Sequence, residues 1–189
     1  MSSSLEQQAA QLTLKSASFS NDAIRITTYE DDYTVRGNAF KRNNVVDLAG
    51  STTINFLIDL SAVPLTDGVF VLPVAIQSSE EEVQFRLYED TDYSGGTPVQ
   101  LYNVNRLMAD SYNLVVTSAS TGTDKGTLIR THAAFGSSTG AAAQNFGTGG
   151  GLEITILNPS KNYLIELENL GTGTTRLEYD ATVFEIPFS

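Results

Sequence analysis

The chain has 189 residues, 41% of them hydrophobic and 17% charged, with 11 Lys and Arg against 22 Asp and Glu for a formal net charge of −11. So acidic a balance disfavours nucleic acid, whose phosphates need cations to displace counterions, and it disfavours anionic membrane surfaces. Cysteine is absent, which excludes disulfides, thiolate metal sites and a cysteine nucleophile.

No apolar run approaches the roughly 20 residues of a membrane helix. The length suits one domain able to bury about 70% of its unfolded surface. The charged share is well below the roughly 25% usual for soluble domains. Ser, Thr, Asn, Gln and Gly stand in the place of the missing charge, which suggests that much of the surface faces other protein.

In chain order, MSSSLEQQAAQLTLKSASFS has neither the basic nor the apolar region of a signal peptide, so synthesis in the cytoplasm is expected. Leu5, Ala9 and Leu12 make only a weak helical stripe, and residues 1–22 read as an extended arm. Residues 23–189 read as a single β-sandwich domain.

AIRITTY at 23–29 is the first strand candidate. In TTINFLIDL, Ile54, Phe56, Ile58 and Leu60 share a face opposite Asn55 and Asp59. VFVLPVAI at 69–76 is apolar throughout, as in a strand covered on both faces, and Pro73 marks a sheet edge or bulge because it has no N–H to donate.

Val83, Phe85 and Leu87 alternate with Gln84 and Arg86. YNLVVTS at 112–118 and TLIRTHAAF at 127–135 follow. Leu152, Ile154 and Ile156 alternate; so do Tyr163, Ile165 and Leu167 against Glu166 and Glu168. Leu177, Tyr179, Ala181 and Val183 oppose Arg176, Glu178, Asp180 and Thr182.

Period-two alternation of this kind marks strands buried on one face. Asn158-Pro159-Ser160-Lys161-Asn162 suits a type I turn, and Thr123–Gly126 and Gly171-Thr172-Gly173 separate further pairs. Eight or more strands without a convincing helix predict an all-β, antiparallel, jelly-roll-like sandwich with an N-terminal arm. GSSTGAAAQNFGTGGG at 136–151 reads as a surface loop, or as a segment that orders against a neighbouring subunit with Phe146 as anchor.

RLYEDTDYSGGTPVQLYNVNR, residues 86–106, gathers acids, tyrosines, glycines and two arginines into one short stretch. Glu89, Asp90 and Asp92 are close enough for a hard cation such as Ca²⁺, but Tyr93–Thr97 interrupts the alternate oxygen ligands such a loop needs. The acids of Glu30-Asp31-Asp32 and Glu80-Glu81-Glu82 read, like these, as solvated turns. Arg86 and Arg106 flank the acids of 86–106 and are placed to pair with them.

His132 is the only histidine, expected to face the same way as Leu128 and Arg130 and to make a rim or interface contact. No G-x-S-x-G elbow accompanies it. Zinc chemistry is not expected from one His and no Cys, and the glycines at 147–151 are followed by no Lys-Ser/Thr of a phosphate loop. Tyr88, Tyr93, Tyr102 and Tyr112 are candidate sugar platforms, although packing and interfaces use tyrosine as readily. No catalytic, cofactor or metal residue is therefore assigned.

EVQFRLYEDTDYSGGTPVQLYNVNR, then GTLIRTHAAFG, a Gly-rich loop and LEITILNPSKNYLIELENLG follow in an order that resembles small capsid decoration (cement) proteins of tailed bacteriophages, over about residues 50–187. The resemblance implies a jelly-roll-like sandwich on the capsid exterior. It implies a homotrimer that bridges major capsid protein subunits, with no enzyme activity, no cofactor, and neither nucleic acid nor membrane as partner. The alternative is a receptor- or glycan-binding module of a head fibre or tail.

Overall fold

A computed structural model describes residues 17–20, 23–26, 34, 36–61, 63, 69–72, 74–109, 114–134 and 155–186. In chain order the strands are β1 (Ala17–Ser20), β2 (Ala23–Ile26), β3 (Ala39–Leu48), β4 (Thr53–Asp59), β5 (Val69–Leu72), β6 (Val74–Ser78) and β7 (Val83–Glu89). There follow β8 (Thr97–Pro98), β9 (Tyr102–Asn103), β10 (Val115–Ser118), β11 (Thr127–Ala134), β12 (Thr155–Leu157), β13 (Asn162–Asn169) and β14 (Thr175–Ile186).

Two antiparallel sheets pack face to face. One runs β11-β7-β13-β4-β10-β8; the other runs β12-β5-β14-β3-β9, with β6 also on β14. Counting β5 and β6 as one strand, consecutive long strands change sheet except β7 and β11, which pair within one sheet, and the two four-strand cores are β3-β14-β5/β6-β12 and β4-β13-β7-β11. That is the strand order of a jelly roll, two Greek keys folded together. β8, β9 and β10 are an insertion between β7 and β11 that widens both sheets on the β3/β4 side.

The alternation foreseen for β4, β7, β13 and β14 supplies the core. Phe85, Leu87, Tyr163 and Leu177 are fully buried and pack with Ile58, Leu167 and Val183 in one cluster spanning both sheets. Between β5 and β6 the ladder keeps a single register, Val71 opposite Phe184 and Val74 opposite Ala181. Pro73 itself lies outside the described residues.

Several expectations are corrected. The longest partner of β14 is β3, an unforeseen strand whose inward positions include Arg42 and Asn44. After residue 96 the chain divides between the sheets: β8 joins one and β9 the other, with residues 99–101 crossing between them. Ser160, at φ 70°, occupies the left-handed third position of a type II turn rather than a type I turn.

In β12 the core residue is Leu157, while Ile156 points outward. The phase is one residue off the expected one because only Leu157 reaches the interior from this edge strand. β1 and β2 pair with each other, Ala17 opposite Ile26, so the pairing joins residues on both sides of the expected arm boundary at 22. Residues 136–151 and Phe146 lie outside the described residues.

Candidate functional site

The acidic turn after β7 and the turn before β11 lie side by side across the outer face of the β4/β13/β7 sheet. Ser94 and Thr121 exchange backbone hydrogen bonds of 3.0 and 3.2 Å, and Asp92 N donates to Asp124 O at 3.0 Å. The Asp92 carboxylate accepts Thr123 N at 2.9 Å, Thr123 Oγ1 at 2.7 Å and Asp124 N at 2.9 Å. Those bonds, Thr123's hydroxyl foremost, hold its carboxyl below the usual aspartate range.

Asn55 Nδ2 donates to Ser120 O at 3.1 Å, tying the second segment to β4. Beneath runs a cross-strand row, Thr117–Leu57–Leu164–Tyr88–Leu128, one residue from each of five strands. Leu57 and Leu164 are buried there, so β13 is covered on both faces.

The other acids of the turn are also engaged within the chain. Lys161 Nζ donates to Glu89 at 2.6 Å and to Asp90 at 2.8 Å. Tyr163 OH donates to Glu89 Oε2 at 2.8 Å and accepts Asn158 N at 2.7 Å. The bonds to Asp90 and Glu89 raise the Lys161 amine above the ordinary lysine range. Burial pushes the Tyr163 phenol up to about 12.

Asp90 itself stands in the left-handed region at φ 61°, a conformation aspartate tolerates in turns. Glu81, of the second acidic run, accepts Gly173 N at 3.0 Å and so fastens the β13–β14 turn. Glu30, Asp31 and Asp32 lie outside the described residues. The described residues hold no group of three or more His, Asp or Glu arranged to bind a metal ion.

Neither arginine meets the acids of the turn. Arg86 pairs with Glu168 on the neighbouring strand, and Arg106 lies over the Tyr102 ring with 5.6 Å to its centroid. Arg86 is two residues up its strand from Tyr88, opposite Glu166 and beside Glu168, so sheet register decided its partner.

A bulge between Leu128 and Arg130 turns Leu128 to the outer face opposite Tyr88, while Arg130 and His132 face inward opposite Leu87 and Phe85. The expected common face of these three is thereby broken. His132 stacks obliquely 6.5 Å from the Phe85 ring centroid, and Arg130 donates to Thr155 Oγ1 at 3.0 Å across the gap between sheets.

Tyr88 sits under Lys125, 5.9 Å from ring centroid to Nζ, and Tyr93 is half-buried against Gly122. Tyr102 is exposed, and Tyr112 lies outside the described residues. No two of the described tyrosines form an open platform.

What the residue pattern did not announce is a preorganised apolar corner after β9. Asn103, buried, donates to Gly37 O at 2.8 Å and Ala109 O at 3.1 Å, and its Oδ1 accepts Asn105 N at 2.9 Å. Asn105 Oδ1 accepts Leu107 N at 3.1 Å in turn. Two successive Asx turns thus shape the Asn-Val-Asn-Arg segment. They hold out Leu107, 94% exposed, with Met108, Val104 and Tyr102 around it. The signal in the sequence was the pair of asparagines two apart beside Leu-Met.

No protein-family model, curated protein or solved structure matches the chain.

Proposed function

We propose that the chain is a non-enzymatic structural protein of a bacteriophage head, which decorates the capsid as a homotrimer and bridges neighbouring major capsid subunits. The observation that carries this reading is the corner at Tyr102–Met108, where apolar side chains are held out by buried asparagine bonds. A fixed apolar group exposed to water gains when another protein covers it, and fixing it beforehand reduces the ordering cost of that contact.

Two further features support the reading. The polar groups of the acidic turn are committed to the chain's own fold and leave no convergent set for chemistry among the described residues. The jelly roll is an architecture of virion and lectin proteins, although a fold by itself assigns no function.

The test mixes the purified protein with expanded, undecorated capsids. Stoichiometric binding at fixed lattice positions, seen by electron microscopy, is the expected result; no binding at any salt concentration ends the proposal.

A further inference from the structure

The two sheets are unequal beside β3 and β4. On β4 the next strand is β10, paired over Val115–Ser118. On β3 the next strand is β9, paired only at Phe40 and Lys41. Asn38 O accepts Glu185 N on the β14 side and Ala39 O accepts Val104 N on the β9 side, both at 2.9 Å. Main-chain groups alternate in direction along a strand, so Asn43, Val45 and Asp47 turn their N–H and C=O away from β14. No ladder answers them among the described residues, and Val45 N donates instead to the adjacent Asn44 Oδ1 at 3.0 Å.

The β1–β2 hairpin has the converse need. It pairs with no other strand among the described residues, and a lone two-stranded sheet is marginal in water. Its register, Ala17 opposite Ile26 and Phe19 opposite Ile24, puts these four apolar residues on one face. Ser18, Ser20, Ala23 and Arg25 fall on the other. The two faces beside β3 differ in the same sense. On the inner side a gap of about 40 Å³ between the sheets is walled mostly by apolar residues, Val99, Leu101 and Val116 among them. On the outer side Asn43, Val45 and Asp47 are exposed.

We propose that β2 of one copy of the chain adds antiparallel to Asn43–Asp47 of β3 in a neighbouring copy, so that the hairpin extends that sheet. An open sheet edge and an unsupported strand satisfy each other's main-chain groups. Added with its apolar face inward, the hairpin brings Phe19, Ile24 and Ile26 to the apolar side of the sandwich and Arg25 to the outer face that carries the acid Asp47. The donor is a second copy because hairpin and β3 edge both stay unpaired within one chain. Each copy gives one hairpin and receives one, a head-to-tail contact that closes into a ring. A ring of three is the homotrimer of the capsid-decoration reading, on which this inference rests for subunit number alone.

The test uses the full-length chain, whose lack of cysteine leaves introduced thiols unambiguous. A tagged Arg25→Cys version and an untagged Val45→Cys version are co-expressed and treated with a short bismaleimide. A crosslinked pair made of one tagged and one untagged chain is the expected product, and its absence overturns the inference. So does an Arg25→Cys/Val45→Cys double variant that crosslinks only within single chains. Light scattering adds a second readout. Val45→Pro removes no β14 ladder bond, since Val45 N faces away from β14, but it denies the added strand a donor. A native trimer and a monomeric Val45→Pro variant are expected; a native monomer, or equal mass for the two, overturns the inference. If the proline variant does not fold, the crosslink decides alone. Both readouts are made without capsids, so their failure and failure of the capsid-binding test are told apart.

Discussion

Glu166, only 3% exposed, receives Lys125 Nζ at 2.8 Å on one carboxylate oxygen and 3.0 Å on the other. The lysine reaches down from the segment that crosses the sheet, so one ion pair both neutralises a buried charge and fastens that segment. Removing one member of a buried pair strands the other. Lys125→Met is expected to destabilise the protein by about 1–3 kcal/mol, below the roughly 3–5 kcal/mol of a fully buried pair because water reaches the half-exposed lysine. Glu166→Leu combined with Lys125→Met is expected to recover most of the loss. Urea unfolding of the single and double variants measures both, and a double variant no more stable than Lys125→Met contradicts the account.

The alkaline limb of stability follows from three groups. Burial chiefly, then its bond to Glu89, raises the Tyr163 phenol to about 12 from 10.0. Its neutral form is favoured by folding, so its contribution is complete below pH 10 and lost as pH rises toward 12. Tyr88 is raised in the same direction by burial and Glu166. Lys125, raised above 10.5 by its bond to Glu166, contributes below that pH and loses its contribution above it. Stability is therefore expected to hold to about pH 9.5 and then fall, Tyr163 alone accounting for about 2 kcal/mol. Tyr163→Phe is expected to be less stable at neutral pH and to fall less steeply above pH 10. Identical alkaline slopes for the two proteins rule this out.

Much of the sandwich was legible because β4, β7, β13 and β14 alternate cleanly, and their inward residues are the core. β3 was not, because Arg42 and Asn44 occupy inward positions and break the apolar period that marks a strand. The inverse happened on β13: Leu164 and Glu166 belong to the polar-looking face, yet both are buried under a cover formed by distant turns. The bulge at Leu128–Arg130 reversed one residue's facing without any Gly or Pro to announce it. In the acidic turn the acids were visible, but not their partners, since Lys161 and Thr123 lie 71 and 31 residues away from Asp90 and Asp92. Local pattern specifies which residues face inward; pairing across sheets decides what each charge meets.

Asp92 is expected to act as the pin of the two crossing segments, since three donors converge on its carboxylate. Asp92→Ala is expected to speed amide exchange at Ser94 and Thr121 by about tenfold or more while leaving β13 amides near their native rates, the signature of local opening. Because its carboxyl is held below the usual range, the pinning is present above about pH 4 and fades as pH falls through the lowered pKa. Uniform acceleration throughout the chain instead makes Asp92 a global rather than a local support.

Gly126 closes the same turn at φ 82°, where a Cβ would stand 2.2 Å from the carbonyl oxygen of Glu89. Both the left-handed backbone and the contact with main chain oppose any side chain. Gly126→Ala is expected to cost about 2 kcal/mol or more. Thermal unfolding measures it, and an unchanged melting temperature means that the turn has an easy alternative path.

The corner at Leu107 separates stability from recognition. Leu107 is almost wholly exposed and contributes little burial, so Leu107→Glu is expected to change unfolding free energy by no more than about 0.5 kcal/mol. On an assembled shell the same change places a charge where an apolar contact is proposed, and binding to expanded capsids is expected to weaken at least about tenfold. Asn103→Ala acts the other way. It removes a buried amide that bonds Gly37, Ala109 and Asn105, so it is expected to cost about 2 kcal/mol and to loosen the corner. Weakened capsid binding in both variants, with loss of stability in only one, assigns the contact to this corner. Native-like capsid binding by Leu107→Glu places it elsewhere on the sandwich.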